Sequence, residues 1–184
     1  MSTTAPATAD ATWAIDPTHT DVAFSVRHMG LSTVRGRFGT VAGTIRSDEA
    51  GVPAAIQVEI ETASIQTGTA DRDAHLRSAD FFDAEANPTI TFVSTSVQAK
   101  ANGRYDVAGD LTMRGVTRRV VLDAEIGEPI QDPFGLTRRA ASASTRINRK
   151  DWGLSWNQVL EAGSLLVSEE VRIELDVQAT RQDG

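Results

Sequence analysis

Hydropathy along this chain alternates with a period of two through most of its length, and the alternation is broken once in a way that limits what the chain can fold into. The break is Asp73-Ala-His-Leu-Arg-Ser-Ala-Asp-Phe-Phe-Asp-Ala-Glu-Ala-Asn-Pro-Thr-Ile-Thr-Phe92. Period two is the signature of half-buried strands. Within the break, Asp73 to Phe82 reads as a short helix or tight turn that gathers Leu76, Phe81 and Phe82 among the polar Asp73, Arg77 and Asp80. Asn87-Pro88 is expected to stop it, because the residue before a proline is pushed out of the helical region. Ile90 and Phe92 resume the alternation. A lone apolar plug among many strands points to a sheet closed around a filled or fillable interior.

The strands read in order. Val22, Phe24 and Val26 share one face of a run from Trp13 to Arg27, and Asp16-Pro17 marks a corner or bulge near its start. Val34, Gly36 and Phe38 begin a second run that continues to Ile45. Its glycines, 36, 39 and 43, lack the Gly-Lys-Ser/Thr ending and following helix of a phosphate loop, and are expected at bends or close backbone approaches. Ile56, Val58 and Ile60 form a third, and Thr67 to Arg72 reads as a polar loop. After the plug, Thr89 to Gln98 leads through the hairpin signal Asn102-Gly103 into Tyr105 to Met113. Arg114-Gly115 turns into Val116 to Ile126. Thr137 to Ile147 alternates weakly, with small Ala141, Ala143 and Thr145 on one side, and Val171, Ile173, Leu175 and Val177 alternate with polar residues in the last run. About eight strands at this spacing make an all-β domain, a sandwich or an up-and-down barrel. A barrel of about eight strands can hold one small ligand.

With 184 residues the chain is most economically one domain. The net charge of -7 argues for solubility and against a nucleic-acid partner, whose phosphates require a basic footprint. No apolar run approaches the roughly 18 residues of a membrane span. Residues 1–12 lack the basic start and apolar core of a secretory signal and read as a disordered leader, with the barrel from 13 to 180. The absence of cysteine excludes disulfides and thiolate metal sites, which fits a cytoplasmic protein.

Chemistry is sparse. His19, His28 and His75, with neighbouring carboxylates, are the only material for a metal-dependent enzyme, and their spacing matches no ligand motif. His28 shares the parity of Val22, Phe24 and Val26. It therefore either satisfies a backbone carbonyl at a strand end or places its ring at a cavity mouth beside a ligand head group. There is no Gly-x-Ser-x-Gly elbow. Trp152, Leu154 and Trp156 would line one side of an extended segment, as core packing at a barrel end or as a ligand-access lid.

Five stretches in order resemble the YceI-like family of polyisoprenoid-binding, lipocalin-like proteins. They are Asp16-Pro17-Thr18-His19-Thr20 with Phe24-Ser25-Val26-Arg27-His28; Val34-Arg35-Gly36-Arg37-Phe38; His75-Leu76-Arg77-Ser78-Ala79-Asp80-Phe81-Phe82-Asp83; Gly109-Asp110-Leu111-Thr112-Met113-Arg114-Gly115-Val116-Thr117; and Asn148-Arg149-Lys150-Asp151-Trp152-Gly153-Leu154. Asn87 before Pro88 and Ser164 after Gly163 depart from the family pattern. The resemblance implies an eight-stranded antiparallel lipocalin-like barrel with a short helical insertion. It implies a binding or carrier protein without catalytic residues or cofactor, whose partner is a long-chain isoprenoid or quinone-like lipid. A homodimer stays open. Strand parity and the resemblance together select Phe24, Val26, Phe38, Leu76, Phe81, Phe82, Phe92, Leu111 and Trp152 to line the cavity, with His28 or His75 at a head group.

Overall fold

The computed structural model describes residues 10–161 and 163–182. Most of the expected leader lies outside them, but Ala11 and Thr12 already belong to the first strand. The strands are β1 (Ala11–Ile15), β2 (Asp21–His28), β3 (Ser32–Phe38), β4 (Val41–Ser47), β5 (Pro53–Glu61), β6 (Ile65–Gln66), β7 (Thr89–Ala99), β8 (Arg104–Met113), β9 (Val116–Ile126), β10 (Ile130–Gln131), β11 (Thr137–Asn148) and β12 (Val167–Gln182), with one helix, α1 (Ala70–Arg77).

Pairing reduces these segments to a closed antiparallel barrel of eight strands. Along one edge of β12, β2 pairs with Val167–Asp176 and β1 with Ala179–Gln182, so β1 and β2 are one strand with a corner in it. The corner is the 3-10 turn Pro17–His19, where proline sets the backbone and Asp16 caps Thr18. β3 with β4, and β5 with β6, are likewise single bent strands, because β3 pairs with β2 and β6 while β4 pairs with β1 and β5. The ring then runs through β7, β8, β9 and β11. It closes where Arg138–Asn148 of β11 meets Glu170–Thr180 of β12, which settles the choice between sandwich and barrel. Consecutive strands are neighbours throughout, joined at Asn102-Gly103 and Arg114-Gly115 by tight turns with φ positive at both positions.

Two glycines make room for aromatic rings on the inner wall. A Cβ at Gly36 would stand 2.4 Å from Cζ of Phe24, its partner in register, and one at Gly109 would stand 2.4 Å from Cζ of Phe92 and 2.6 Å from the Val93 carbonyl oxygen. The close approach expected at Gly36 is therefore real, Gly109 adds one that was not expected, and both set where the rings lie.

The plug differs from expectation in its boundaries. The helix is Ala70–Arg77 and not Asp73 to Phe82. Its first turn is tied down by local polar bonds that apolar spacing does not reveal: the Asp73 carboxylate accepts from Thr67 N, and Arg72 Nε donates to Thr67 Oγ1 at 2.7 Å. It ends at Ser78, whose hydroxyl and backbone N–H both donate to the His75 carbonyl, well before Asn87-Pro88. Phe81 and Phe82 lie in the turns that follow. The plug sits beside β6, which has no further strand on its outer side among the described residues. Arg77 covers that edge, donating to the carbonyls of Ala63 and Ile65, each at 2.8 Å.

Candidate ligand-binding cavity

The barrel encloses a cavity of about 440 Å3, within the range of ligand pockets. Every strand of the ring contributes inward side chains to it, among them Ile15, Val22, Val58, Ile60, Val107, Val120, Ala141, Ala143, Val171, Ile173 and Leu175. The period-two pattern is the direct cause. On β12, Val171, Ile173, Leu175 and Val177 face the lumen while Arg172, Glu174 and Asp176 face out. The barrel around it is long. The sixteen residues of β12 give about 50 Å of strand at ~3.3 Å per residue, and a tilt of about 40° leaves roughly 40 Å along the axis.

At one end Arg139 bridges two loops, donating from Nε to the Gly127 carbonyl at 2.8 Å and from Nη1 to the Gly51 carbonyl at 2.6 Å. Trp13, on β1, also lines the cavity and is 4% exposed, with its indole N–H on Ser47 Oγ. The other end is formed by the plug, the β2–β3 turn and the segment between β11 and β12. Here two aromatic strings meet the lumen: Phe24, Phe38 and Phe82 in sequence, and His75, Phe81 and Trp156 in mutual contact with ring centroids 4.7–5.3 Å apart. Arg114 Nη1 fixes the plug by donating to the carbonyls of Phe81 and Gly153.

Of the residues selected from sequence, Phe24, Val26, His28, Phe38, His75, Leu76, Phe81, Phe82, Phe92 and Leu111 all line the cavity. Trp152 does not. It belongs to a 3-10 turn, Arg149–Trp152, and not to an extended segment, so strand parity fails there. Its ring is buried in the wall, with Nε1 donating to the Leu111 carbonyl at 2.9 Å. Leu154 and Trp156, from the same stretch, do reach the lumen. His19 lies on the outside beside Asp16, and His75 Nε2 contacts Asp80 at 2.8 Å. Among the described residues no three or more His, Asp or Glu side chains are grouped to hold a metal ion, and no helix is long and apolar enough to cross a membrane.

Sequence reasoning missed Arg149. It is 5% exposed and lines the cavity. Nε donates to the Ser168 carbonyl at 2.9 Å, Nη1 to those of Leu154 and Trp156 at 2.6 and 2.9 Å, and Nη2 to that of Val167 at 3.4 Å. Burial draws its pKa below the ordinary guanidinium value, and Glu169 opposes the shift from the side. No parity signal marks it, because Arg149 opens the 3-10 turn in which the extended backbone ends.

An up-and-down antiparallel barrel of eight strands around a ligand-sized apolar cavity is a lipocalin-like architecture. The chain belongs to the YceI-like family: the YceI-like domain matches residues 13–179. A UPF0312 protein of Vibrio cholerae is 40% identical over 157 residues, covering 85% of this chain and 81% of its own. The crystal structure of the Campylobacter jejuni YCEI protein is similar at TM-score 0.74 and 28% identity, covering 85% of this chain and 90% of that one. A polyisoprenoid binding domain from Saccharophagus degradans, implicated in plant cell wall breakdown, shares the fold at TM-score 0.68 and 19% identity over 92% of this chain and 98% of its own.

Proposed function

We propose that this protein binds a polyisoprenoid, or a quinone-like or other long apolar lipid of similar length, inside the barrel, and carries or stores it without chemical change. The observation that carries the reading is the cavity itself, lined almost throughout by aliphatic and aromatic side chains. The family supports it, as does the structural neighbour described as a polyisoprenoid binding domain. Each buried methylene contributes ~0.8 kcal/mol, so roughly ten give about 8 kcal/mol before ordering costs. A longer chain buries more, so the net after those costs can reach about micromolar affinity, with poor discrimination between chains of similar length.

Filling the lumen tests the reading. Ala141 and Ala143 face the cavity from β11, and Ala141→Phe with Ala143→Phe places rings where the chain of the lipid would run. Uptake of geranylgeraniol by the lipid-free protein is expected to fall at least tenfold in this variant, about 1.4 kcal/mol, while circular dichroism keeps the barrel signature. Undiminished uptake by a folded variant would contradict binding in the lumen.

A further inference from the structure

Exposed apolar side chains gather at the tips of two neighbouring loops. Leu31 is 78% exposed and Met29 is exposed beside it, in the turn between β2 and β3. Val159 is 73% exposed and pairs with exposed Leu165 across the hairpin that precedes β12. The two tips form one surface: Met29 N donates to the Leu166 carbonyl at 2.8 Å, and Leu166 N to that of Gln158 at 2.9 Å. Arg27 holds the first tip in shape, donating to Thr33 Oγ1 and to the carbonyls of Gly30 and Leu31. Cavity-lining residues adjoin both tips, since His28 precedes Met29 and Leu166 follows Leu165.

The surface beside the tips is cationic. Arg27, Arg35 and Arg37 are exposed on the outer face of β2 and β3. In register Arg35 stands opposite Ser25, and Arg37 between Ala23 and Gln66, so the neighbouring strands offer them no carboxylate. The bonds of Arg27 go to a hydroxyl and to carbonyls, which leave its charge uncancelled. Of the acids that start β12, Glu169 is bonded to Lys150 and Glu170 to Arg146. Glu161, in the second hairpin, opposes the arginines. The chain as a whole carries a net charge of -7. Charges are screened over about 8 Å at physiological ionic strength, however, so the local sign decides what this surface attracts. A second exposed apolar group, Ile130, Phe134 and Leu136, lies in a different field. Its loop carries Glu128 and Asp132, and Arg138 is bonded to Asp132 and Asp16.

Aliphatic side chains held out in water beside arginines without carboxylate partners suit the surface of an anionic bilayer. The tips would enter the interface and the arginines would meet lipid phosphates. We infer that the protein docks by these two tips on a bilayer that carries anionic phospholipid. The inference adds a partner to the lipid-binding reading and rests on it for the purpose of docking, while the contact itself needs nothing in the lumen.

Co-sedimentation of the lipid-free full-length chain with phosphatidylcholine vesicles, with and without phosphatidylglycerol, tests the surface. Binding is expected where phosphatidylglycerol is present, and is expected to weaken as salt is added. Leu31→Ser with Val159→Ser, and separately Arg35→Ser with Arg37→Ser, are each expected to weaken it about tenfold. Phe134→Ser is expected to leave it unchanged. None of these side chains lines the cavity, so geranylgeraniol delivered in solution is expected to enter every variant equally. No binding to either vesicle, with uptake intact, would overturn docking and leave the lipid site standing. Binding lost in Phe134→Ser and kept in the other variants would overturn this placement. A dimer by light scattering that dissociates when Leu31 and Val159 are replaced, with no vesicle binding, would give the tips to a second copy and overturn the bilayer. Vesicle binding by a chain that takes up no lipid would uphold the surface and remove the lipid site.

Discussion

Asp16 shows how much a single side chain holds at the corner of the first strand. Its carboxylate accepts from Thr18 Oγ1 at 2.6 Å, contacts His19 Nδ1 at 2.9 Å and accepts from Arg138 Nη1 at 2.7 Å. Arg138 in turn donates to Asp132. The corner between β1 and β2 is thus fastened to β11 on the far side of β12. The hydrogen bond from Thr18, then those from His19 and Arg138, hold the Asp16 carboxyl well below the usual carboxylate range. A depressed folded-state pKa gives stability that is complete above the unfolded value, about 3.9, and is lost as pH falls below it. Asp16→Asn is expected to cost about 1–3 kcal/mol at pH 7, and the gap in melting temperature from the unaltered protein should close below about pH 4. A gap that stays constant down to pH 3 would contradict an ionised Asp16. His19 falls into place here: it serves the corner, and a histidine read from sequence as possible metal chemistry is a structural partner of its neighbour.

The strands were the legible elements. Half-burial in a closed sheet forces inward and outward residues to alternate, and parity together with the family resemblance selected Phe24, Val26, Phe38, Phe92 and Leu111, which line the lumen. Parity holds only while the chain stays extended. It therefore misplaced Trp152, which lies past the point where β11 turns into a 3-10 segment, and apolar spacing misplaced α1, whose ends are fixed by Asp73, Arg72 and Ser78 through local hydrogen bonds. Arg149 was missed because a buried arginine and a solvated one look alike until the carbonyls around it are known.

Gly36 was legible from sequence as a site of close approach and Gly109 was not, and the structure ranks the two. At Gly36 an added methyl meets the Phe24 ring and Thr67 Cγ2, side-chain atoms that can turn aside. At Gly109 it also meets the Val93 carbonyl oxygen, which cannot. Gly109→Ala is expected to cost about 2–3 kcal/mol and Gly36→Ala about 1–2 kcal/mol, read from chemical denaturation. The reverse order would mean that the β7–β8 pair yields more readily than the Phe24 ring.

At the scale of the whole molecule, bent strands, plug and staples serve one shape. Three of the eight strands turn corners, Arg139 bridges the loops of Gly51 and Gly127, and α1 with Phe81 and Phe82 lies where the sheet stops at β6. The product is an apolar interior within a chain of net charge -7. An empty apolar space of this size forgoes dispersion contacts along its whole lining, so a bound apolar chain should stabilise the fold by mass action. The central claim is that this space holds a lipid. Native mass spectrometry of the protein purified from its own host, followed by organic extraction and identification of what is released, tests that claim most directly. The account predicts an adduct of discrete mass that extracts as an isoprenoid or other long apolar lipid. Protein at its bare mass, which also takes up no lipid added to it, would contradict the account and leave a barrel whose interior serves no ligand.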